Sequence, residues 1–470
     1  MQLPLVLIIV ASLAAGEYLS PEPASDVALS LLLSLVLAAS VAAAAFVIAR
    51  RTQLRVEQAA SEEQLERAIR GGESLQRLHA MFWLTTTAAI LYALEWPAVV
   101  RDYLAPRSIV LLDELLLLTP ALATLLLSWT AFATVARRRL AWPAALRQGI
   151  LQMRARAAGE LAPVLAPALA MALVCDVVRL GCPDLVARGG AWIIYLPAVL
   201  ILALAFPLLL AVSWKTSPFP AGELRDALHA AATAGGVRLR RIRVWRTRYA
   251  NAFVCGWGPL RTVYLSQPLL DLLDRGQLLA VFRHETAHLR LGHAATRMLA
   301  AVLPLLAFLA ARRWLDLLGE IPPAAEVGLY AAAALLTAVY LACGFAAIAR
   351  RLELDADRWA AQQTPDTAQQ LISALDTLAA HSGEDSSRGG WLHPSLDTRV
   401  GWLEMYLQAK PRPVSQQSRT VVLVAAVVFL GLIVAPWRTA VSPLPEVSRQ
   451  AQGEDRSADN GATRSMADSP

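Results

Sequence analysis

Apolar residues along this chain gather into blocks long enough to cross a bilayer, at roughly 3–19, 27–49, 81–100, 109–134, 161–179, 191–213, 296–316, 328–349 and 421–437. A hydrocarbon core about 30 Å thick needs about 20 residues of helix, so the pattern predicts a polytopic membrane protein. The first block is short and ends at Ala14-Ala15-Gly16, which resembles a signal-peptidase site, but it lacks a basic start. The polar stretches between blocks have their own patterns. Residues 51–80 place Glu62, Glu63, Glu66, Arg67 and Arg70 at helical spacing, which predicts an exposed helix. Val237–Trp245 largely alternates apolar and basic residues, with one slip at Arg240-Arg241, and reads as an edge strand; Val263–Leu265 reads as a second short strand. The stretches 214–295 and 351–419 are parted only by a pair of apolar blocks, and the tail beyond Ser442 has no periodicity and reads as disordered.

Composition agrees with a membrane protein. Hydrophobic residues make up 56% of the 470 residues, charged residues only 17%, and the mean hydropathy is +0.46. Lys and Arg outnumber Asp and Glu by 43 to 37, and the arginines cluster after the second block, after the fourth, and at 238–248. In a membrane protein such clusters report orientation rather than nucleic-acid binding, so we expect no nucleic-acid partner. The basic loops belong in the cytoplasm, although Arg101, Arg107, Arg188 and Arg312-Arg313 fall on the other side. Four cysteines are too few for a disulfide scaffold; a Cys175–Cys182 bridge is left open.

The candidate chemistry is at His284-Glu285-Thr286-Ala287-His288. Residues four apart share a helical face, so both histidines can turn a ring nitrogen to one Zn²⁺, while Glu285 reaches the water beside it. A catalytic zinc site needs a third protein ligand. His293 lies about 500° round the helix from His288, and the metzincin pattern fails because Leu291 and Ala294 stand where Gly and His are required. Residues 350–361 offer carboxylates instead: Glu353 and Asp357 share a face just after the eighth block, and a membrane hairpin returns them to the depth of His284 and His288. Glu353 is therefore the expected third ligand, with Asp357 accepting the free N–H of a ligating histidine. One zinc per chain would acidify a water, and Glu285 would take the proton as general base.

These residues resemble the HtpX and type I CAAX prenyl endopeptidase family of integral-membrane zinc metallopeptidases, over roughly residues 220–410. The motifs that carry the resemblance are H-E-x-x-H-x-x-x-x-H ending at His293, E-x-x-x-D at Glu353–Asp357, Asn251-Ala252-Phe253, and His393-Pro394 with Arg399. It implies an α+β, gluzincin-like zinc metallopeptidase domain on an α-helical membrane bundle. It also implies that Asn251, Ala252 and Phe253 form an edge strand that pairs with substrate backbone, that His393 hydrogen-bonds the oxyanion, and that Arg399 braces the site. Arg283 and Ala287 stand where the family usually has small residues, often Gly at the latter, and the first 213 residues are outside the resemblance.

The expected organisation is a membrane region at 1–213 with about six spans, a metallopeptidase domain at 214–419 interrupted by a hairpin at about 296–349, a last span at 420–437, and a tail at 438–470. The expected function is zinc-dependent endopeptidase cleavage of membrane or misfolded proteins on the cytoplasmic side, in a bacterial cytoplasmic membrane, with membrane lipid and a protein or peptide substrate as partners. Quality control is the expected role and specific regulatory cleavage the alternative. A sensor-transducer like the BlaR/MecR proteins, cleaving a cytoplasmic regulator, is the rival form; those carry a large outer sensor domain, whereas the outer tail here is short. Glu95, Asp113, Glu114, Asp176 and Arg179 near the outer ends of the early spans are candidates for sensing or simply interfacial groups.

Overall fold

A computed structural model describes residues 9, 12 and 26–440, apart from 105–108, 136–141, 189, 248, 318, 320–321, 383–385, 388 and 409–415. The first apolar block, apart from residues 9 and 12, and the tail beyond 440 thus lie outside the described residues. Among the described residues, six helices are long and apolar enough to cross a membrane: Val27–Gln58, Leu112–Ala133, Leu146–Gly181, Trp192–Ser213, His293–Leu315 and Leu335–Ala361. The last apolar block becomes a shorter apolar helix, Gln417–Ile433. The block at 81–100 is not one helix. It breaks at Glu95, whose backbone is left-handed (φ 51°), and restarts at Trp96-Pro97. A proline fixes the start of a new turn and cannot continue the old one, which the run of apolar side chains conceals.

The chain forms two compact units. One comprises the chain up to Phe219 with Leu239–Arg248 and Cys255–Gln267. Its helices include α1 (Val27–Gln58), α2 (Glu62–Ala88), α3 (Leu112–Val135), α4 (Trp142–Arg156), α5 (Ala162–Gly181) and α6 (Trp192–Ser213). Asp26 and Ser61 cap α1 and α2 by accepting backbone N–H bonds. Val41, Trp83, Leu118, Leu125 and Trp129 form a buried core between these helices, where the Trp83 indole donates to the Ala121 carbonyl and the Thr124 hydroxyl. A buried indole N–H needs such partners.

Strands of this unit are β1 (Ser217–Pro218), β2 (Arg241–Trp245) and, after β3 (Ala252–Cys255), β4 (Thr262–Ser266). Strand β2 pairs antiparallel with β1 and parallel with β4. The expected edge strand at 237–245 is thus corrected: it starts at Arg241, beyond the slip, and is flanked on both sides. Its alternating burial comes from one face turned to the core and the other outward, and β1 covers its outer edge for only two residues. The sheet meets α6 through Tyr264, whose hydroxyl donates to the Pro207 carbonyl at 2.6 Å, and through Trp214 stacked on Trp245 at 4.2 Å. Cys175 and Cys182 form no bridge.

The second unit comprises Pro220–Arg238, Tyr249–Val254 and the chain from Pro268 on. Its helices are α7 (Glu223–Ala234), α8 (Arg275–Leu291), α9 (His293–Asp316), α10 (Pro323–Val339), α11 (Ala346–Ala361), α12 (Thr367–Ser382), α13 (Leu396–Gln408) and α14 (Gln417–Ala440). Helix α8 opens with a capping box between Asp274 and Gln277 and packs against α11 and α12. Gln277 also donates to Ser373 and Thr377 of α12. Helix α9 packs along α14. A π-helical segment, Tyr340–Phe345, joins α10 to α11, so the apolar helix runs unbroken into the carboxylates at 353 and 357.

Candidate metal centre and active site

Helix α8 carries His284 and His288 one turn apart, and α11 packs against it with Glu353 and Asp357 one turn apart. All four are buried, with relative exposures between 1% and 8%. Buried charged and polar groups at this density need partners. Here the partners are one another. The Nε2 atoms of His284 and His288 are 3.3 Å apart; Glu353 Oε2 is 3.6 Å from the first and Glu353 Oε1 is 3.5 Å from the second. Zinc bonds of about 2.0–2.1 Å at tetrahedral angles put neighbouring ligand atoms about 3.3 Å apart. The three side chains thus already lie at the spacing of three corners of a zinc tetrahedron, and two imidazoles with one carboxylate suit that ion. The fit rests on the donor set.

The remaining ring nitrogens are engaged. His284 Nδ1 lies 2.7 Å from Asp357 Oδ1, which holds a proton on Nδ1, and Nε2 is the nitrogen turned toward Glu353 and His288. Arg399 of α13 grips Asp357 through two bonds, at 2.8 and 2.6 Å. His288 Nδ1 meets His293 Nδ1 at 2.9 Å. His293 was excluded as a ligand by helical angle, and it contributes no ligand atom; its contact with His288 depends on Gly292. That residue ends α8 in the left-handed region (φ 72°) and restarts the chain as α9, turning the fifth residue back on the histidine.

Electrostatics follow from burial and pairing. Burial pulls His284 down, but the charge and hydrogen bond of Asp357 and the bond to Glu353 outweigh it, raising the imidazole to about 9. Burial dominates at His288 and holds it well below the usual histidine value, in the neutral form a metal requires. Glu285, partly exposed beside these buried groups, has its carboxyl raised by burial and by Glu353, against the pull of His284, Arg399 and Arg297. A carboxylate raised in this way is a better proton acceptor.

His393 sits on the loop before α13, is 61% exposed at its side chain, and approaches Glu353 Oε2 at 3.2 Å. The resemblance assigns it to a substrate oxygen; in the structure its ring nitrogen faces the Glu353 carboxylate. Arg297 of α9 also bonds Glu353, and its pairing was not read from the sequence. A basic residue four past His293 was the available signal. Asn251 precedes β3, Ala252 and Phe253 open it, and the Phe253 side chain is exposed. These three supply no ligand atom to the group.

Residues 218–407 match the profile of peptidase family M48. That segment is similar to peptidase family M48. It contains every residue of the site, from Asn251 to Arg399, and marks a metallopeptidase of a kind that is zinc-dependent in general, carried by a chain with six helices apolar enough to cross a membrane among its described residues. Among solved structures, S. mikatae Ste24p aligns over 81% of this chain and 100% of its own, with 16% sequence identity and a TM-score of 0.49. No curated protein matches the chain.

Proposed function

We propose that the M48 domain is a zinc endopeptidase that cuts membrane or misfolded proteins at the cytoplasmic face of a bacterial cytoplasmic membrane. The observation that carries this reading is the spacing of His284, His288 and Glu353 with Asp357 locked behind the first of them. Those three side chains would hold the ion. When bound, zinc acidifies water and polarises the scissile carbonyl.

The chain's own groups do the rest. The Glu285 carboxylate takes the proton of the attacking water and returns it to the leaving amine nitrogen. His393, exposed and next to Glu353, donates to the carbonyl oxygen as it gains charge. Asp357, held by Arg399, keeps His284 in the tautomer with a free Nε2. Asn251, Ala252 and Phe253 bind an extended substrate by backbone hydrogen bonds, a mode that tolerates many side chains and suits misfolded segments.

Glu285→Gln tests the reading. Zinc content measured on purified protein stays at one per chain, and cleavage of an unfolded reporter falls by 10²-fold or more. Undiminished cleavage by that variant would remove Glu285 from the mechanism.

A further inference from the structure

Helix α11 has a second working face. At about 100° per residue, Ala347, Leu354 and Arg358 lie about 100–140° round the helix from Glu353, away from the buried metal face. They line a cavity of about 640 Å³ together with Arg350 and Arg351. The opposite wall is the loop Gly389–Ser395 and Trp402 of α13. Gly389 packs so closely there that a side-chain carbon would fall 2.9 Å from the Ser395 nitrogen.

The positive charge in this cavity is only partly offset internally. Arg350 donates to the Trp391 carbonyl at 3.2 Å, Arg351 to the Gln417 amide oxygen at 3.2 Å, and Arg358 sits over the Trp402 ring at 5.1 Å. Among the described residues none of the three is ion-paired with a carboxylate within 4.0 Å. Asp355 also lines the cavity and offsets one positive charge, leaving a net excess of two. Clustered guanidiniums with spare donors fit a phosphate group.

Position favours a lipid over free phosphate. Ala347 belongs to the apolar helix Leu335–Ala361, and Arg350 and Arg351 are the first charged residues along it. Trp402 and Met405, three apart on one face of α13, expose 40% and 55% of their surface, a tryptophan-and-aliphatic pair suited to the bilayer interface. The cavity thus reaches from membrane helix to polar loop.

We propose that this cavity binds the phosphate headgroup of an anionic membrane phospholipid, clamped by Arg351 and Arg358. The site lies on the flank of the domain and does not depend on the peptidase reading. Full-length protein in neutral detergent is titrated with phosphatidylglycerol and with phosphatidylcholine of the same chains, and bound lipid is counted by native mass spectrometry. Wild type retains one phosphatidylglycerol per chain and discriminates against phosphatidylcholine. Each arginine near an anionic surface is worth about fivefold, so Arg351→Gln with Arg358→Gln weakens phosphatidylglycerol about 25-fold, and the Lys pair restores most of it. Equal retention by wild type and the Gln pair, or equal binding of the two lipids by wild type, overturns the proposal. So does displacement of the lipid by stoichiometric inorganic phosphate or an acidic peptide, which would assign the cavity to those ligands instead.

Discussion

Asp357 does two jobs with two oxygens. One accepts from His284 Nδ1, and both are held by Arg399, so a single carboxylate fixes a proposed ligand and neutralises a buried guanidinium. Asp357→Asn is therefore expected to weaken zinc 10–100-fold in competition with a chelator, the usual cost of losing such a partner. It also strands Arg399 and lowers stability by about 3–5 kcal/mol, read as a fall in melting temperature. His293 has a subtler role. With His288 Nε2 facing the other ligands, its Nδ1 carries the proton and His293 Nδ1 accepts it. His293→Phe removes that acceptor and should weaken zinc about tenfold, while His293→Gln recovers part of the loss. Metal retention unchanged in His293→Phe would leave the contact without a function. The pairing of Glu353 with the histidines was legible because i,i+4 spacing and a membrane hairpin are both periodic features. The contacts of His293 and Arg297 were not, because they depend on one left-handed glycine and on the depth at which two helices meet.

At the scale of elements, Gly292 is the hinge between the histidine helix α8 and the membrane helix α9. A β-branched residue there would pay the left-handed penalty, so Gly292→Val is expected to cost about 1–2 kcal/mol and to loosen zinc as His293 swings away from His288. Thermal unfolding with and without zinc separates the two effects: a purely local strain lowers both midpoints equally. Strand β2 teaches a different lesson. Its alternation was readable, but its neighbours were not, since Ser217-Pro218 carries no strand signal and yet pairs with Val244 and Arg243, next to the Phe219 N–H bond to the Ile242 carbonyl. Likewise the block at 81–100 is apolar throughout enough to pass as a span, yet the backbone at Glu95 and Pro97 divides it. Hydropathy counts side chains; breaks are set by backbone geometry.

For the molecule as a whole, the six apolar helices and the arginine clusters make one proposal about sidedness. If the basic loops face the cytoplasm, an exposed Glu73→Cys on α2 resists a membrane-impermeant thiol reagent in intact cells and reacts after permeabilisation, whereas the exposed native Cys182 reacts in both. The reverse pattern would invert the topology and place the metal group outside. The peptidase segment was the most legible part of the chain because its chemistry needs fixed residue types at fixed intervals. The first two hundred residues were legible only as membrane helices and one charged, exposed helix at 51–80, since packing such as Trp83 against α3 leaves no comparable spelling.

One last consequence concerns the unbroken helix from Leu335 to Ala361. Its eighteen residues up to Glu353 form a lever about 27 Å long, so a pivot of about 5° at the Leu335 end displaces that carboxylate by more than 2 Å. Catalytic constellations tolerate about 0.5 Å, so a tilt that small would take Glu353 out of register with the histidines, and peptidase turnover in vesicles is expected to change with acyl-chain length; equal turnover across chain lengths would show that the helix does not tilt.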